Sequence, residues 1–416
     1  MNRRSLLGLG GAAAVSVATA VQGHRSRPGR HWLHTWVAMP QLTEPGNLPP
    51  APFTGADAVL VDTTLRQTVH TSIAGSAVRL RFSNAFGGAV LPITAVSVAR
   101  PAGGRAGSGA IEPGTLRPVT FSGRTFVDIP VGAQAVSDPV DLDVPARSEL
   151  SVTAYLATGQ ASTSVTSHPG SRTTSHLLRG DHHDAPDLPG ATTVAHWYLL
   201  SGVEVLAAGD STATVVLGDS LTDGRGSTTD GNDRWPDQLS ARLHGGHAVL
   251  NQAAGGNRVM QDGLGPSVLA RLDRDVLALD GVATLIVFEG INDIGTAAAT
   301  PEAQQRVGDD LRAAYDQIVT RAHARGLRVY GATLTPIGGN EGYDDPGGLR
   351  ERTRAGSNEW IRRGGRFDRV LDFDAAVRDP ADPRRLLPAY DTGDHLHLNP
   401  AGYGALAAAV PERWLR

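Results

Sequence analysis

The first half of the chain alternates apolar and polar positions with a period of two between residues 58 and 206. The pattern is clearest in the segments 78–83 and 150–156. Such alternation is typical of half-buried strands. The chain contains 50 glycines and 26 prolines, and the turn clusters they form between these segments favour a sandwich or jelly roll. We therefore predict an all-β sandwich, jelly-roll-like domain over residues 30–208.

From residue 212 onward, short apolar runs alternate with segments of helical periodicity. Between two of these runs, apolar residues recur at helical spacing over 307–322, after a helix start at Thr300. Alternating strands and helices predict βαβ units and a parallel sheet covered on both faces. We therefore predict an α/β domain over 212–416. Its candidate strands are the near-continuously apolar runs 214–217, 248–250, 284–288, 327–330 and 370–373.

Residues with catalytic potential follow these predicted strands. Ser220 follows the first strand, Asn292 follows the third, and Asp394 and His397 lie near the C-terminus. Ligands of open α/β folds bind at the carboxyl ends of the strands, so we expect these side chains at one edge of the sheet. Taken singly, Ser220 and Asn292 can equally be helix caps. Taken together, the four residues supply the side chains that an acyl transfer needs.

Each residue type suits one step of ester hydrolysis. Ser220 is the candidate nucleophile, His397 the candidate base that takes its proton, and Asp394 the group that orients the imidazole. The developing oxyanion needs preorganised donors, for which the Ser220 N–H and the Asn292 amide are available. A third donor is the N–H of a glycine after the second strand.

Two assignments have a close competitor in the sequence. The glycine after the second strand is Gly255 or Gly256, which are adjacent. His395 competes with His397 as the base. The loop 338–348, which follows a strand, is expected to border the site.

The second half resembles the SGNH (GDSL-type) hydrolase family, whose members carry four sequence blocks in a fixed order. All four blocks occur here in that order over roughly half of the chain. They are Gly218-Asp219-Ser220, Gly256, Gly290-Ile291-Asn292-Asp293 and Asp394-His395-Leu396-His397.

The resemblance implies a three-layer, flavodoxin-like hydrolase domain and a serine esterase activity. It implies a catalytic triad of Ser220, His397 and Asp394, with an oxyanion hole formed by Ser220, Gly256 and Asn292. Gly256 is preferred to Gly255 because the family places its glycine just before an Asn or Asp, and His397 is preferred to His395 because it completes the Asp-x-x-His spacing. The first half resembles the β-rich domain that precedes the hydrolase domain in some bacterial members.

Composition narrows the possible partners and cofactors. The formal net charge is −4 and 19% of the residues are charged, so the basic surplus expected for a nucleic-acid partner is absent. The chain has 0 cysteines, which excludes thiol chemistry and disulfides. The run 181–184 contains Asp and His but is interpreted as a solvated loop, and four tryptophans are interpreted as core residues more readily than as a sugar-binding platform. We expect no cofactor and no metal.

Residues 1–20 have the features of an export signal. Arg3-Arg4 precede an apolar run rich in Gly and Ala, and Ala18-Thr19-Ala20 offers a cleavage site. The paired arginines favour a twin-arginine signal, with a general secretory signal or a membrane anchor as alternatives. No later segment is apolar enough to span a bilayer. We therefore expect a secreted protein.

The sequence supports two classes of function. The first is a secreted serine esterase that acts on acetyl or short to medium acyl esters, either small molecules or acetylated polysaccharides, with a lipase or phospholipase-like acyl hydrolase as the variant. The second is a non-catalytic extracellular glycan-binding protein on the same scaffold. The sequence does not define the oligomeric state.

Overall fold

The computed structural model describes residues 29–415, so the predicted signal segment 1–20 lies outside the described residues. The first half is an all-β unit of antiparallel sheets, as predicted. Its strands are β1 (Arg30–Val37), β2 (Gln41–Leu42), β3 (Thr63–His70), β4 (Val78–Ser83), β5 (Leu91–Ile93), β6 (Ala95–Ala99), β7 (Arg117–Val119), β8 (Val127–Ile129), β9 (Gln134–Val136), β10 (Glu149–Leu156), β11 (Thr166–His168), β12 (Ser175–Arg179), β13 (Thr192–Val194), β14 (Trp197–Tyr198) and β15 (Leu200–Ala208).

Two larger sheets dominate this half. The first has the strand order β1-β15-β4-β9 and the second the order β13-β12-β3-β10-β6-β7. Smaller sheets, β14-β11-β2 and β5-β8, complete it. The last strand, β15, therefore pairs with both β1 and β4, and its C-terminal end leads directly into the second half.

The half-buried prediction is confirmed for β4 but is wrong for β10. Along β4 buried and half-buried residues alternate, whereas nearly every residue of β10 is buried. Thr153 of β10 accepts a hydrogen bond from Arg66 Nε at 2.9 Å. The Arg66 guanidinium also donates to the carbonyls of Gly109 and Ala185. Loops thus cover the face of β10 that the sequence pattern assigned to solvent.

The second half contains a five-stranded parallel sheet of order β17-β16-β18-β19-β20. This is the flavodoxin-like order 2-1-3-4-5. Its strands are β16 (Thr212–Gly218), β17 (His247–Ala253), β18 (Val282–Phe288), β19 (Arg328–Ala332) and β20 (Arg369–Leu371). Its helices are α1 (Ser220–Asp223), α2 (Trp235–Arg242), α3 (Val268–Leu272), α4 (Ile291–Thr296), α5 (Pro301–His323), α6 (Leu349–Arg363), α7 (Phe373–Val377) and α8 (Pro400–Ala408).

The strand interiors explain the three-layer arrangement. The last five residues of β18 are all buried, and successive side chains of a strand point to opposite faces, so both faces of the sheet are covered. The helix predicted over 307–322 is confirmed as α5, where Thr300 caps the N-terminus by accepting from Ala303 N. The predicted strand 370–373 extends too far, because Asp372 caps α7 and Phe373 is already helical.

The two halves share one continuous apolar core. Strand β1 packs against β17, which joins the antiparallel and parallel sheets. Of the four tryptophans interpreted as core residues, Trp36, Trp197 and Trp235 are buried, whereas Trp32 is half-buried beneath the Arg79 guanidinium. No helix within residues 29–415 is long and apolar enough to cross a membrane.

Candidate active site

Ser220 lies at the turn between β16 and α1. Asp219 caps the helix, because its Oδ1 accepts from the Leu221 N–H at 2.9 Å. At Gly218, a Cβ atom would lie 2.3 Å from Thr222 Oγ1, so this turn has no room for a side chain there. The cap function therefore belongs to Asp219, and the Ser220 hydroxyl contacts His397 Nε2 at 2.8 Å.

His397 links Ser220 to a carboxylate. Its Nδ1 lies 2.6 Å from Asp394 Oδ2. Asp394 Oδ1 is held in turn by the backbone N–H groups of Leu396 at 3.0 Å and His397 at 2.8 Å. His395, the competing histidine, bonds Asp391 Oδ2 at 2.6 Å instead. Ser220, His397 and Asp394 thus form one hydrogen-bonded chain.

The surroundings keep His397 neutral and Asp394 ionised. Burial lowers the pKa of His397, and it outweighs the opposing effect of Asp394; the charges of Arg225 and Arg172 lower it further. Burial would raise the pKa of Asp394, but hydrogen bonds from the backbone and imidazole of His397 hold that pKa well below its ordinary value. A neutral imidazole next to a carboxylate is the state a general base requires.

The Asn292 amide has a defined orientation. Its Nδ2 donates to Asn257 O at 2.8 Å, and its Oδ1 accepts from the Tyr343 hydroxyl at 2.6 Å. The Asn257 carbonyl can only accept, so it identifies the nitrogen side of the amide, and the Nδ2 atom retains a second hydrogen. Tyr343 belongs to the loop that was expected to border the site, although the sequence did not single it out.

The two adjacent glycines are used differently. The Gly255 N–H donates to Asp223 Oδ2 at 3.0 Å, whereas within residues 29–415 the Gly256 N–H has no hydrogen-bond partner. Gly256 adopts φ +72, and a Cβ there would lie 2.5 Å from Leu264 Cδ1. A glycine is therefore required at this position on both conformational and steric grounds. The geometry favours Gly256 as the glycine with an available donor.

A cavity of about 680 Å³ brings the five predicted site residues together. Residues of the first half also line it, a contribution that no sequence signal indicated. The loop 338–348 borders the cavity as expected. The cavity is lined by Gln41, Glu44, Asn47, Pro169, Gly170, Arg172 and His196 from the first half, and by Ser220, Asp223, Arg225, Gly255, Gly256, Leu264, Asn292, Asn340, Tyr343, Asp394, Leu396 and His397 from the second.

Three acidic side chains lie buried next to this edge of the sheet. Burial raises the pKa of Asp219, Glu289 and Asp293. The charge of Asp293 raises the pKa of Asp219 and of Glu289 further, and the charge of Asp219 also raises the pKa of Glu289. Both Glu289 carboxylate oxygens are buried without a hydrogen-bond partner in residues 29–415. A carboxyl group in this position is stable in its neutral form, because an unpaired buried charge is costly.

The acidic and histidine-rich loop 181–184 does not assemble a site. His183 Nδ1 bonds Asp181 Oδ1 at 2.6 Å, whereas His182 Nε2 faces Arg179 O at 3.0 Å. The two imidazoles therefore bind local partners and do not converge on a common point.

A flavodoxin-like sheet with a serine, a histidine and an aspartate joined at its carboxyl edge is typical of a hydrolase. Residues 216–405 match the GDSL-like Lipase/Acylhydrolase family. Residues 216–405 therefore form a GDSL-type hydrolase domain, and a β-rich half precedes this domain in the chain. No curated protein matches the chain significantly.

Solved structures with similarity to the chain come from several bacteria. An acetylxylan esterase from Geobacillus stearothermophilus is 23% identical, with a TM-score of 0.36; the match covers 48% of this chain and 91% of that one. A carbohydrate acetylesterase from Sinorhizobium meliloti is 17% identical, with a TM-score of 0.37 and coverage of 48% and 96%. A GDSL-like lipase from Bacteroides thetaiotaomicron VPI-5482 is 17% identical, with a TM-score of 0.37 and coverage of 49% and 87%.

Proposed function

We propose that this protein is an exported serine esterase that hydrolyses carboxylic esters through an acyl-enzyme. The observation that carries the proposal is the hydrogen-bonded chain from Ser220 through His397 to Asp394, at a cavity that also contains Asn292 and Gly256. Export rests on the sequence of residues 1–20.

The first step forms the acyl-enzyme. Ser220 Oγ attacks the ester carbonyl while His397 Nε2 takes the hydroxyl proton, and Asp394 stabilises the imidazolium that forms. The carbonyl oxygen becomes an oxyanion, to which the N–H groups of Ser220 and Gly256 and the Asn292 amide donate. Collapse of this intermediate breaks the ester C–O bond, and His397 returns its proton to the leaving alcohol.

The second step releases the acid. Water takes the place of the alcohol, His397 removes one of its protons, and the resulting hydroxide attacks the acyl carbon. Collapse of this second tetrahedral intermediate breaks the bond between the acyl carbon and Ser220 Oγ, His397 returns the proton to Ser220, and the carboxylic acid is released. Each oxyanion donor acts mainly on the charge that develops in these tetrahedral states. Removal of one such donor costs about 2.7–4 kcal/mol of transition-state stabilisation.

The cavity lining supports a short acyl group on a polar alcohol. Most lining side chains are polar or charged, and the few apolar ones include Leu264 and Leu396. A long acyl chain needs a continuous apolar surface to gain binding energy. We therefore favour acetyl esters of sugars or polysaccharides over long-chain lipids as substrates.

The test is hydrolysis of nitrophenyl esters of increasing acyl length by the mature protein, with S220A and N292A in parallel. We expect acetyl turnover that falls with chain length and disappears in S220A. N292A should lower kcat by about 10²–10³ with little change in KM. Activity that survives in S220A would refute the nucleophile assignment, and a preference for long chains would favour a lipase. Absence of turnover in the folded protein would favour the glycan-binding alternative.

A further inference from the structure

A buried histidine–carboxylate pair connects the first half to the candidate active site. His168 Nε2, at the end of β11, lies 2.8 Å from Asp223 Oδ1 in α1. The side chains are 4% and 2% exposed, so water does not compete for this contact. Asp223 follows Ser220 by three residues within the same short helix. The first half therefore reaches the helix that carries the candidate nucleophile.

The contacts of His168 define its role as a donor. Its Nδ1 faces Met39 O at 3.0 Å, and a carbonyl oxygen can only accept. Its Nε2 faces the Asp223 carboxylate, which also accepts when ionised. Nδ1 therefore donates to Met39 O, and Nε2 lies within hydrogen-bond distance of the Asp223 carboxylate. Trp197 stacks on the ring with centroids 5.7 Å apart and an interplanar angle of 29°, which fixes its plane.

Asp223 also restrains the loop that contains Gly255 and Gly256, here called the glycine loop. Its other oxygen, Oδ2, accepts the Gly255 N–H at 3.0 Å. Backbone of the first half also lies against this oxygen, because a Cβ on Gly170 would be 1.8 Å from it. The carboxylate is thus held from one side by the first half and holds the loop on the other.

The far end of the same loop has separate restraints. Arg271 Nη2 donates to Asn257 Oδ1 at 3.0 Å, and Asn257 O accepts from Asn292. Gly256 lies between the two anchored ends. Its amide direction therefore depends on Asp223 as well as on Asn257.

We propose that His168 is a positioning residue of the esterase: through Asp223 it fixes the loop that presents the Gly256 N–H to the oxyanion. The inference rests on the proposed function and extends it, because it makes the β-rich half part of the catalytic machinery. Without the His168 donor, Asp223 is a buried carboxylate with a missing partner. It then turns towards other donors or water and releases the Gly255 end of the loop.

Two amide substitutions separate the contacts of His168. In H168Q, the amide nitrogen occupies nearly the place of Nε2, so the donor to Asp223 is kept. In H168N, the amide nitrogen occupies nearly the place of Nδ1, so the donor to Met39 O is kept and the donor to Asp223 is lost. Both variants introduce a side-chain amide of similar size, and they differ in whether that amide can donate to Asp223.

A second histidine–carboxylate pair at the junction provides the matched control. His70 Nδ1 lies 2.5 Å from Glu149 Oε1, and that oxygen accepts from Asn232 of the second half at 2.8 Å. None of the three lines the cavity at Ser220. H70A therefore perturbs the junction of the two halves without touching the glycine loop.

The experiment measures kcat and KM for hydrolysis of an acetyl ester, with the concentration of active sites determined by titration with a fluorophosphonate. It also measures the affinity for a boronic acid, which forms a tetrahedral adduct with the serine. We expect kcat of H168N to fall about 10²-fold at constant KM, and boronate affinity to fall by a similar factor. H168Q should retain most of the kcat that H168N loses, and H70A should keep kcat near that of the unmodified protein. Thermal unfolding of every variant accounts for losses of stability.

Three outcomes would overturn the inference. The first is unchanged kcat in H168N, and the second is a loss confined to KM. The third is an equal loss in H168N, H168Q and H70A that follows their melting temperatures, because this indicates a purely structural junction. Activity in S220A would instead refute the proposed function, and with it any positioning role in that reaction. Loss of activity in S220A together with full activity in H168N would refute the positioning role alone.

Discussion

Removal of one hydroxyl group tests how the Asn292 amide is held. The Tyr343 O–H donates to Asn292 Oδ1 at 2.6 Å, and burial raises the pKa of Tyr343 to about 12, so the phenol remains a donor at neutral pH. The ring packs on α4, since a Cβ on Gly295 would lie 2.4 Å from Tyr343 Cδ2. Y343F keeps this packing and removes one of the two hydrogen bonds that orient the amide, while the bond from Asn292 Nδ2 to Asn257 O remains.

The size of the effect follows from the value of one hydrogen bond. A neutral hydrogen bond contributes about 0.5–1.5 kcal/mol net, which corresponds to about a 2- to 12-fold decrease in kcat. The decrease falls on kcat because the amide acts on the oxyanion and not on the ground-state ester. N292A removes the donor itself and should cost about 10²–10³ in kcat. The tyrosine variant should therefore keep most of the oxyanion stabilisation.

The assay is steady-state hydrolysis of an acetyl ester by Y343F, N292A and the double variant. If Tyr343 acts through Asn292, the double variant loses no more activity than N292A alone, because the hydroxyl has nothing left to orient. Independent effects that multiply in the double variant would refute this reasoning. A change of KM alone in Y343F would indicate that the hydroxyl binds substrate.

Three further predictions address the acid–base, stability and conformational properties of the site. Activity should rise with pH as His397 loses its proton, with a midpoint below about pH 6.5 because burial lowers the pKa of His397. R225Q removes a charge that lowers this pKa further, so the midpoint should move to higher pH. An unchanged midpoint in R225Q would argue against His397 as the base. Burial raises the pKa of Glu289 well above its unfolded value, so the stability that Glu289 contributes is complete below about pH 4.3 and is lost as the pH rises towards the folded-state pKa. The melting temperature of E289Q should therefore rise relative to that of the unmodified protein as the pH increases. A difference in melting temperature that does not depend on pH would contradict this prediction. G256A places a side chain at φ +72 and 2.5 Å from Leu264 and should lower kcat much more than G114A, whose Cβ has nothing within 4 Å; equal kcat values in the two variants would exclude Gly256 as a donor.

Each pKa argument has a definite energy scale. A difference of one pKa unit between the folded and unfolded states corresponds to about 1.4 kcal/mol, and the total stability of a domain is typically only about 5–15 kcal/mol. Ionising Glu289 in the folded protein is therefore costly on this scale, because burial raises the pKa of its carboxyl well above the ordinary value.

The amino-acid sequence by itself determined the fold class and the residues of the candidate site. Period-two alternation and short apolar runs separated the antiparallel half from the parallel half, because strand geometry alone dictates those patterns. The blocks containing Ser220, Asn292 and His397 were recognisable because parallel strands present their carboxyl ends at one edge. Local sequence was also sufficient to find the caps, as at Thr300.

Tertiary structure decided which distant residues complete the site. His168 ends β11 and Arg172 lies in the loop that follows, both more than forty residues before Ser220, and no local pattern marks either residue as part of the site or its surroundings. The choice between Gly255 and Gly256 as the oxyanion donor also depended on Asp223, because its carboxylate accepts the Gly255 N–H and leaves the Gly256 N–H available. These features arise where the two halves of the chain pack against each other. A hydrophobic pattern indicates which residues of one segment are buried, but it does not indicate which distant segment contacts them.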